Sequence, residues 1–162
     1  MEQQTEYLIV FNGGYLNNDA VENVISYICR PAGALFNMYG IRGCTPEKAA
    51  AEFRNTYEYY GFPSEGLIRH FCITFRSNKN KEYLFQFANE IASLFSRKYQ
   101  IVFSLHPLEK HDGYHIHFAV AAVSYLPDIP ELDSAELEKY CNLVIAYAAT
   151  KGIRIEKRSK NV

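Results

Sequence analysis

Tyr114-His115-Ile116-His117-Phe118-Ala119-Val120 is the stretch on which the reading of this chain turns. Successive side chains of a β-strand point to opposite faces, so Ile116, Phe118 and Val120 form one apolar face. His115, His117, Ala119 and Ala121 share the other. The apolar face requires a core beneath it, and the opposite face presents two imidazoles at a spacing that lets both reach one metal ion. His106 closes the preceding β-rich run, Gln100–His106, and the hairpin-like stretch Pro107–Gly113 leads into the run Tyr114–Ser124. Across that hairpin His106 can complete a three-imidazole set. Ala119 and Ala121 are expected to leave open space beside the ion. Glu109 is a candidate carboxylate ligand, and His111 and Asp112 are either partners that orient a ligand histidine or solvated loop residues.

The rest of the chain supplies elements around this hairpin. Tyr7–Phe11 reads as a buried strand stopped by Asn12-Gly13-Gly14. Asp19 is a candidate cap for a helix from Ala20 to about Cys29, which Pro31 ends. Residues 31–44 carry Pro31, Gly33, Gly40 and Gly43 and read as a functional or mobile loop. Thr45-Pro46 opens a helix to Tyr60 that stops at Gly61. Leu67–Arg76 is a second strand. Asn80 caps a helix from Lys81 to about Arg97, and Asp133 or Ser134 caps a last one that runs to Thr150 and is stopped by Gly152. Ile153–Ile155 adds an edge strand before a basic tail. This order predicts an α+β fold with a central antiparallel five-stranded sheet and helices mainly on one face, in a single domain spanning 1–162 with a basic tail from about 151.

Composition narrows the function. The chain has 162 residues, 48% of them apolar and 22% charged, which excludes a disordered chain. Net charge is −1, which opposes a general polyanion binder. The charges are segregated, however. Asp128–Glu138 holds five acids and no base, whereas Leu67–Lys81 holds four bases and no acid, so the charge distribution permits a local nucleic-acid groove. The 24 Tyr and Phe residues offer stacking surfaces for unpaired bases. Cys29, Cys44, Cys72 and Cys141 form no CxxC pair, which excludes a zinc ribbon and a thioredoxin-like motif. With no export-type N-terminus and no apolar run of bilayer length, the expected location is the cytoplasm, with no membrane partner.

Four segments together resemble plasmid mobilisation relaxases, members of the HUH (His-hydrophobic-His) endonucleases. His106-Pro107-Leu108-Glu109 followed by His115-Ile116-His117-Phe118-Ala119-Val120 resembles their metal-binding motif. Val24-Ile25-Ser26-Tyr27-Ile28 resembles the segment that holds the nucleophilic tyrosine. Gly40-Ile41-Arg42-Gly43-Cys44 and the helix with Glu47, Ala49 and Phe53 resemble the segment after it. Arg69-His70-Phe71-Cys72-Ile73-Thr74-Phe75 resembles the strand written as His, two hydrophobic residues, any residue, Ser, Phe. The likeness is collinear over about residues 20–125. It departs from the family in Thr74 for Ser, in Ala121 where many members carry Asn, and in a His106–His115 spacing about two residues longer than usual.

The resemblance implies a metal-dependent single-strand DNA endonuclease and transesterase that nicks a plasmid or mobile-element transfer origin through a covalent 5′-phosphotyrosine. It implies Tyr27 as nucleophile and His106, His115 and His117 as ligands of a divalent ion, Mg²⁺ or Mn²⁺, with Zn²⁺ or Ni²⁺ as substitutes. A phenol, with a pKa of about 10, needs a base or a metal nearby to attack at neutral pH. Arg42, Arg69 and Arg76 are candidate phosphate contacts, and the implied partners are single-stranded origin DNA and accessory mobilisation proteins. Two alternatives stand beside this reading. One is a degenerate relative acting as a DNA-binding or assembly protein, and the other a replication initiator or transposase-type nuclease using Tyr147.

Overall fold

The computed structural model describes residues 3–12 and 15–161. Its elements, in chain order, are β1 (Thr5–Asn12), α1 (Ala20–Cys29), β2 (Leu35–Tyr39), α2 (Pro46–Tyr60), β3 (Ile68–Phe75), α3 (Lys81–Ser96), β4 (Ile101–Pro107), β5 (Tyr114–Ala121), α4 (Ser134–Thr150) and β6 (Arg154–Asn161). Local chemistry sets most helix ends. The Thr45 hydroxyl accepts from the Lys48 amide at 3.2 Å, with Pro46 in the first turn. Asn80 and Asp133 cap α3 and α4 in the same way, through the Tyr83 and Glu136 amides. Asp19 precedes α1 but makes no side-chain cap bond. The Gly13-Gly14 strand stop lies outside the described residues.

The sheet runs in the order β2-β4-β5-β3-β1-β6 and is antiparallel except where β6 pairs with β1 in parallel. The fold class is α+β as expected, but three details differ. The expected loop 31–44 contains β2, an edge strand that pairs Leu35 with Leu105 and Tyr39 with Ile101, giving six strands rather than five. The basic tail is not a tail: Arg154–Asn161 form the opposite edge, whose charged side chains suit a strand with one unpaired side.

Helices also cover both faces of the sheet rather than mainly one. On the first face, α3 and α4 pack Leu84, Phe87, Ile91, Phe95 and Val144 against Phe71, Ile73, Phe103, Ile116 and Phe118. On the second, Val24, Ile25 and Ile28 of α1 and Ala49, Phe53 and Tyr57 of α2 pack against Ile68, Val102, Ala119 and Ala121. The small residues that were expected to leave open space beside an ion therefore admit two helices instead, and both alanines are fully buried. Those helices cover one end of the second face. Its other end carries the histidines.

Candidate active site

Three adjacent strands build the site by register. On the second face, β5 places His115 beside His106 of β4 and Thr74 of β3. One row further along, His117 lies between Ser104 of β4 and Cys72 of β3. The rings of His106, His115 and His117 thus converge, with centroids 5.1 Å apart for His106–His117 and 5.5 Å for the other two pairs. The longer hairpin does not disturb this, because the extra residues lie in the turn closed by the Leu108 amide on the Gly113 carbonyl at 3.0 Å. The tightest donor group is Cys72, His115 and His117, whose ligating atoms all lie within 4.8 Å of one another. Ser104 Oγ, next to His117, is fully buried and has no hydrogen-bond partner.

A second layer holds His117 from behind. His70 Nε2 is 2.9 Å from His117 Nδ1, and the Tyr15 hydroxyl is 2.9 Å from His70 Nδ1. Phe11 stacks on the His70 ring at 4.3 Å. If His117 Nδ1 donates to His70, His117 Nε2 is left with a free lone pair facing Cys72 and the other rings. His70 then carries its own proton on Nδ1 and donates it to Tyr15. Thr74 Oγ1 lies 3.2 Å from His115 Nδ1.

Burial keeps His70, His115 and His117 neutral. It pushes His70 and His115 down to about 4, with the positive fields of His106 and Arg76 adding to the effect at His115. His117, buried and repelled by His70, His106 and His115, falls to about 2. Neutral imidazoles with free lone pairs are what a cation requires. Burial pushes the Cys72 thiol up to about 12.

Tyr27 stands on the last turn of α1, 54% exposed, with its ring edge-on to His117 at a centroid distance of 6.1 Å. The Arg30 guanidinium lies 5.9 Å from the centre of the Tyr27 ring. Tyr27, His117, His70, Phe11 and Tyr15 share a cavity of about 430 Å³, which Asn17, Asp19 and Asn23 also line.

The candidate arginines fall in different places. Arg76 is exposed at the His115 end of β3. Arg42 follows β2 beyond its Tyr39–Ile101 end, the end of the sheet away from His106. Arg69 is engaged elsewhere: its Nε donates to the Leu132 carbonyl at 2.6 Å and its Nη1 to the Glu65 carbonyl at 3.1 Å. Strand alternation also turns it from the histidine face. Glu109 and His111 are exposed in the β4–β5 turn and lie outside the tight donor group. Tyr147 lies on α4, on the first face of the sheet, with its hydroxyl bonded to Glu90, so the sheet separates it from the histidines.

Four contributors were not singled out from sequence as parts of a site: Tyr15, Cys72, Ser104 and Arg30. Only the alternation of β3, which sets His70, Cys72 and Thr74 on one face, was there to be read.

A family model described as relaxase, MobA/VirD2-like, nuclease domain matches residues 27–130. The chain belongs to the relaxase family. The matched span starts at Tyr27 and contains every histidine of the cluster. Comparison with curated proteins finds no match, and comparison with solved structures finds none either. Relaxase-family nucleases depend on a metal ion, and the donors present fit one. Imidazole lone pairs are free and convergent, and the orphaned Ser104 hydroxyl points to a polar occupant. No helix among the described residues is long and apolar enough to cross a membrane.

Proposed function

We propose that this relaxase-family protein cuts and rejoins one strand of DNA at a transfer origin of a plasmid or other mobile element, using Tyr27 as the nucleophile. The observation that carries this reading is the approach of Tyr27 to His117 across an open cavity at the histidine end of the sheet. His106, His115 and His117 would hold the divalent ion, Mg²⁺ or Mn²⁺ in the simplest case. Such an ion, when bound, supplies polarisation of the scissile phosphate and offsets charge in the transition state. The Tyr27 oxygen forms a bond to phosphorus as the bond from phosphorus to the 3′ oxygen breaks. The phenol proton is lost, the 3′ oxygen gains one, and the 5′ side stays joined to Tyr27 as a phosphodiester. Rejoining is the same step in reverse, so no nucleotide hydrolysis is needed. The Arg30 guanidinium over the ring helps to hold the Tyr27 side chain in place.

Single-stranded DNA would cross the histidine face. Phe36 is exposed on β2 at one side, and Arg158 and Lys160 of β6 lie in register with Ile9 and Phe11 at the other. Aromatic and basic groups on the two flanks suit unpaired bases and phosphates. Accessory mobilisation proteins and a cytoplasmic location go with this reading.

The test is incubation of the full chain with Mn²⁺ and a randomised pool of single-stranded oligonucleotides, followed by a denaturing gel. A protein-linked product is expected for the wild type and for Tyr147→Phe, and none for Tyr27→Phe. An adduct that survives Tyr27→Phe would sink the assignment.

A further inference from the structure

Among the described residues, Cys72 is the thiol that joins the histidine donors of the cluster. Its side chain points from β3 onto the histidine face because Cys72 pairs with His117 in the β3–β5 register. Its Sγ lies 3.5 Å from His115 Nδ1 and 3.8 Å from His117 Nε2. In a tetrahedral site with metal–sulfur bonds of about 2.3 Å and metal–nitrogen bonds of about 2.0–2.1 Å, adjacent S and N ligands sit about 3.6 Å apart. Both observed separations match that spacing without movement of the backbone. The donor group of Cys72, His115 and His117 is also tighter than the three-imidazole set, in which His106 is partly exposed and its Nδ1 lies 3.4 Å from the carbonyl of Pro107.

Packing alone does not account for this side chain. The rest of the second face is filled by apolar contacts with α1 and α2, whereas Cys72 sits outside that apolar cluster, among His115, His117 and Thr74. A thiol there has imidazole nitrogens for neighbours, and one of them, His117 Nε2, is the atom freed by the hydrogen bond to His70.

We propose that Cys72 is itself a metal ligand, acting through its thiolate together with His115 Nδ1 and His117 Nε2, so that this site selects a borderline-soft ion such as Zn²⁺ or Co²⁺ over Mg²⁺. The inference deepens the functional reading above and rests on the histidine cluster holding an ion. Coordination breaks the S–H bond and passes one proton to solvent for each ion bound. Thiolate ligands favour Zn²⁺ and its analogues, while Mg²⁺ and Mn²⁺ favour oxygen donors. The second-face geometry leaves the fourth position to His106 or to the DNA phosphate.

The experiment is titration of the metal-free full chain with Co²⁺, followed by ultraviolet and visible absorption. The expected spectrum has the visible bands of a tetrahedral ion and a near-ultraviolet thiolate-to-cobalt charge-transfer band. Cys72→Ser should lose the charge-transfer band and keep visible bands, while Cys44→Ser, which removes an exposed thiol, should keep both. Competition titrations should show Zn²⁺ affinity falling on the order of 100-fold in Cys72→Ala while Mn²⁺ affinity stays within about threefold. Visible bands without a charge-transfer band in the wild type would overturn the role of Cys72 and leave the histidine site standing. Absence of cobalt binding in the wild type would overturn both. The wild-type spectrum decides the matter even if a Cys72 variant fails to fold.

Discussion

His70 Nε2 and His117 Nδ1 lie 2.9 Å apart on the second face of the sheet, and one proton must sit between them. Where that proton belongs determines what His117 can do. Held on His117 Nδ1, it leaves Nε2 as a lone pair at the cavity. Held on His70, it forces the other His117 proton onto Nε2 and blocks coordination. Binding of a cation therefore selects the arrangement in which His70 accepts from His117 and donates to Tyr15.

His70 is accordingly a positioning residue. His70→Ala should weaken Mn²⁺ binding about 10–100-fold, the usual effect of removing a partner that orients a ligand histidine. His70→Gln, whose amide can accept from His117 Nδ1–H, should restore most of it. Calorimetric titration with Mn²⁺ reads both variants. Equal losses in the two would show that His70 only fills space.

The same burial makes the metal-free protein acid-sensitive. His70 and His117 have folded-state pKa values of about 4 and about 2, below the ordinary value of about 6.5. The unfolded chain thus binds more protons in acid. Their contribution to stability is complete above about pH 6.5 and is lost as pH falls from there toward the folded values. Between pH 7.5 and pH 5 these two groups should cost the apo protein on the order of 4 kcal/mol, measured by the urea midpoint. In a His70→Phe variant, with that titration removed, the slope should be shallower.

Arg158 and Lys160 should matter for DNA more than Arg69 does. Replacing both by Ala should weaken binding of a single-stranded oligonucleotide and lower the slope of log affinity against log salt by about 1.4, the value for two phosphate contacts. Arg69→Ala should instead lower the melting temperature, since it strips the half-buried bond to the Leu132 carbonyl, and leave the salt slope unchanged. Fluorescence anisotropy across a salt series separates the two outcomes.

Gly113 holds the hairpin that sets His106 beside His115. Its φ is +125°, and a Cβ there would fall 2.0 Å from the Phe75 carbonyl oxygen. Gly113→Ala should cost about 2–3 kcal/mol of stability and displace the hairpin that carries His106 and His115. Circular dichroism on urea unfolding checks the first effect, and Co²⁺ affinity the second.

Local signals fared best where the physics is local. Thr45-Pro46 and Gly61 marked α2 at both ends, because capping and a positive-φ stop involve only neighbouring backbone. Leu35–Tyr39 was passed over as a loop because an edge strand exposes half its residues and shows no apolar alternation. Ala119 and Ala121 were read as open space because nothing in β5 says which helix will cover it.

The sequence by itself determined that His115 and His117 share a face, since alternation is a property of one strand. It also placed Tyr27 near a helix end and His106 across a hairpin, which are short-range relations. Only the tertiary structure decided that Cys72, His70 and Ser104 belong with them, because strand register joins residues some 13 to 47 positions apart. It also decided that Tyr27 faces the histidines while Tyr147 and Arg69 do not. A side chain's face follows from the chain it belongs to, but its neighbours across the sheet follow from how the whole core packs.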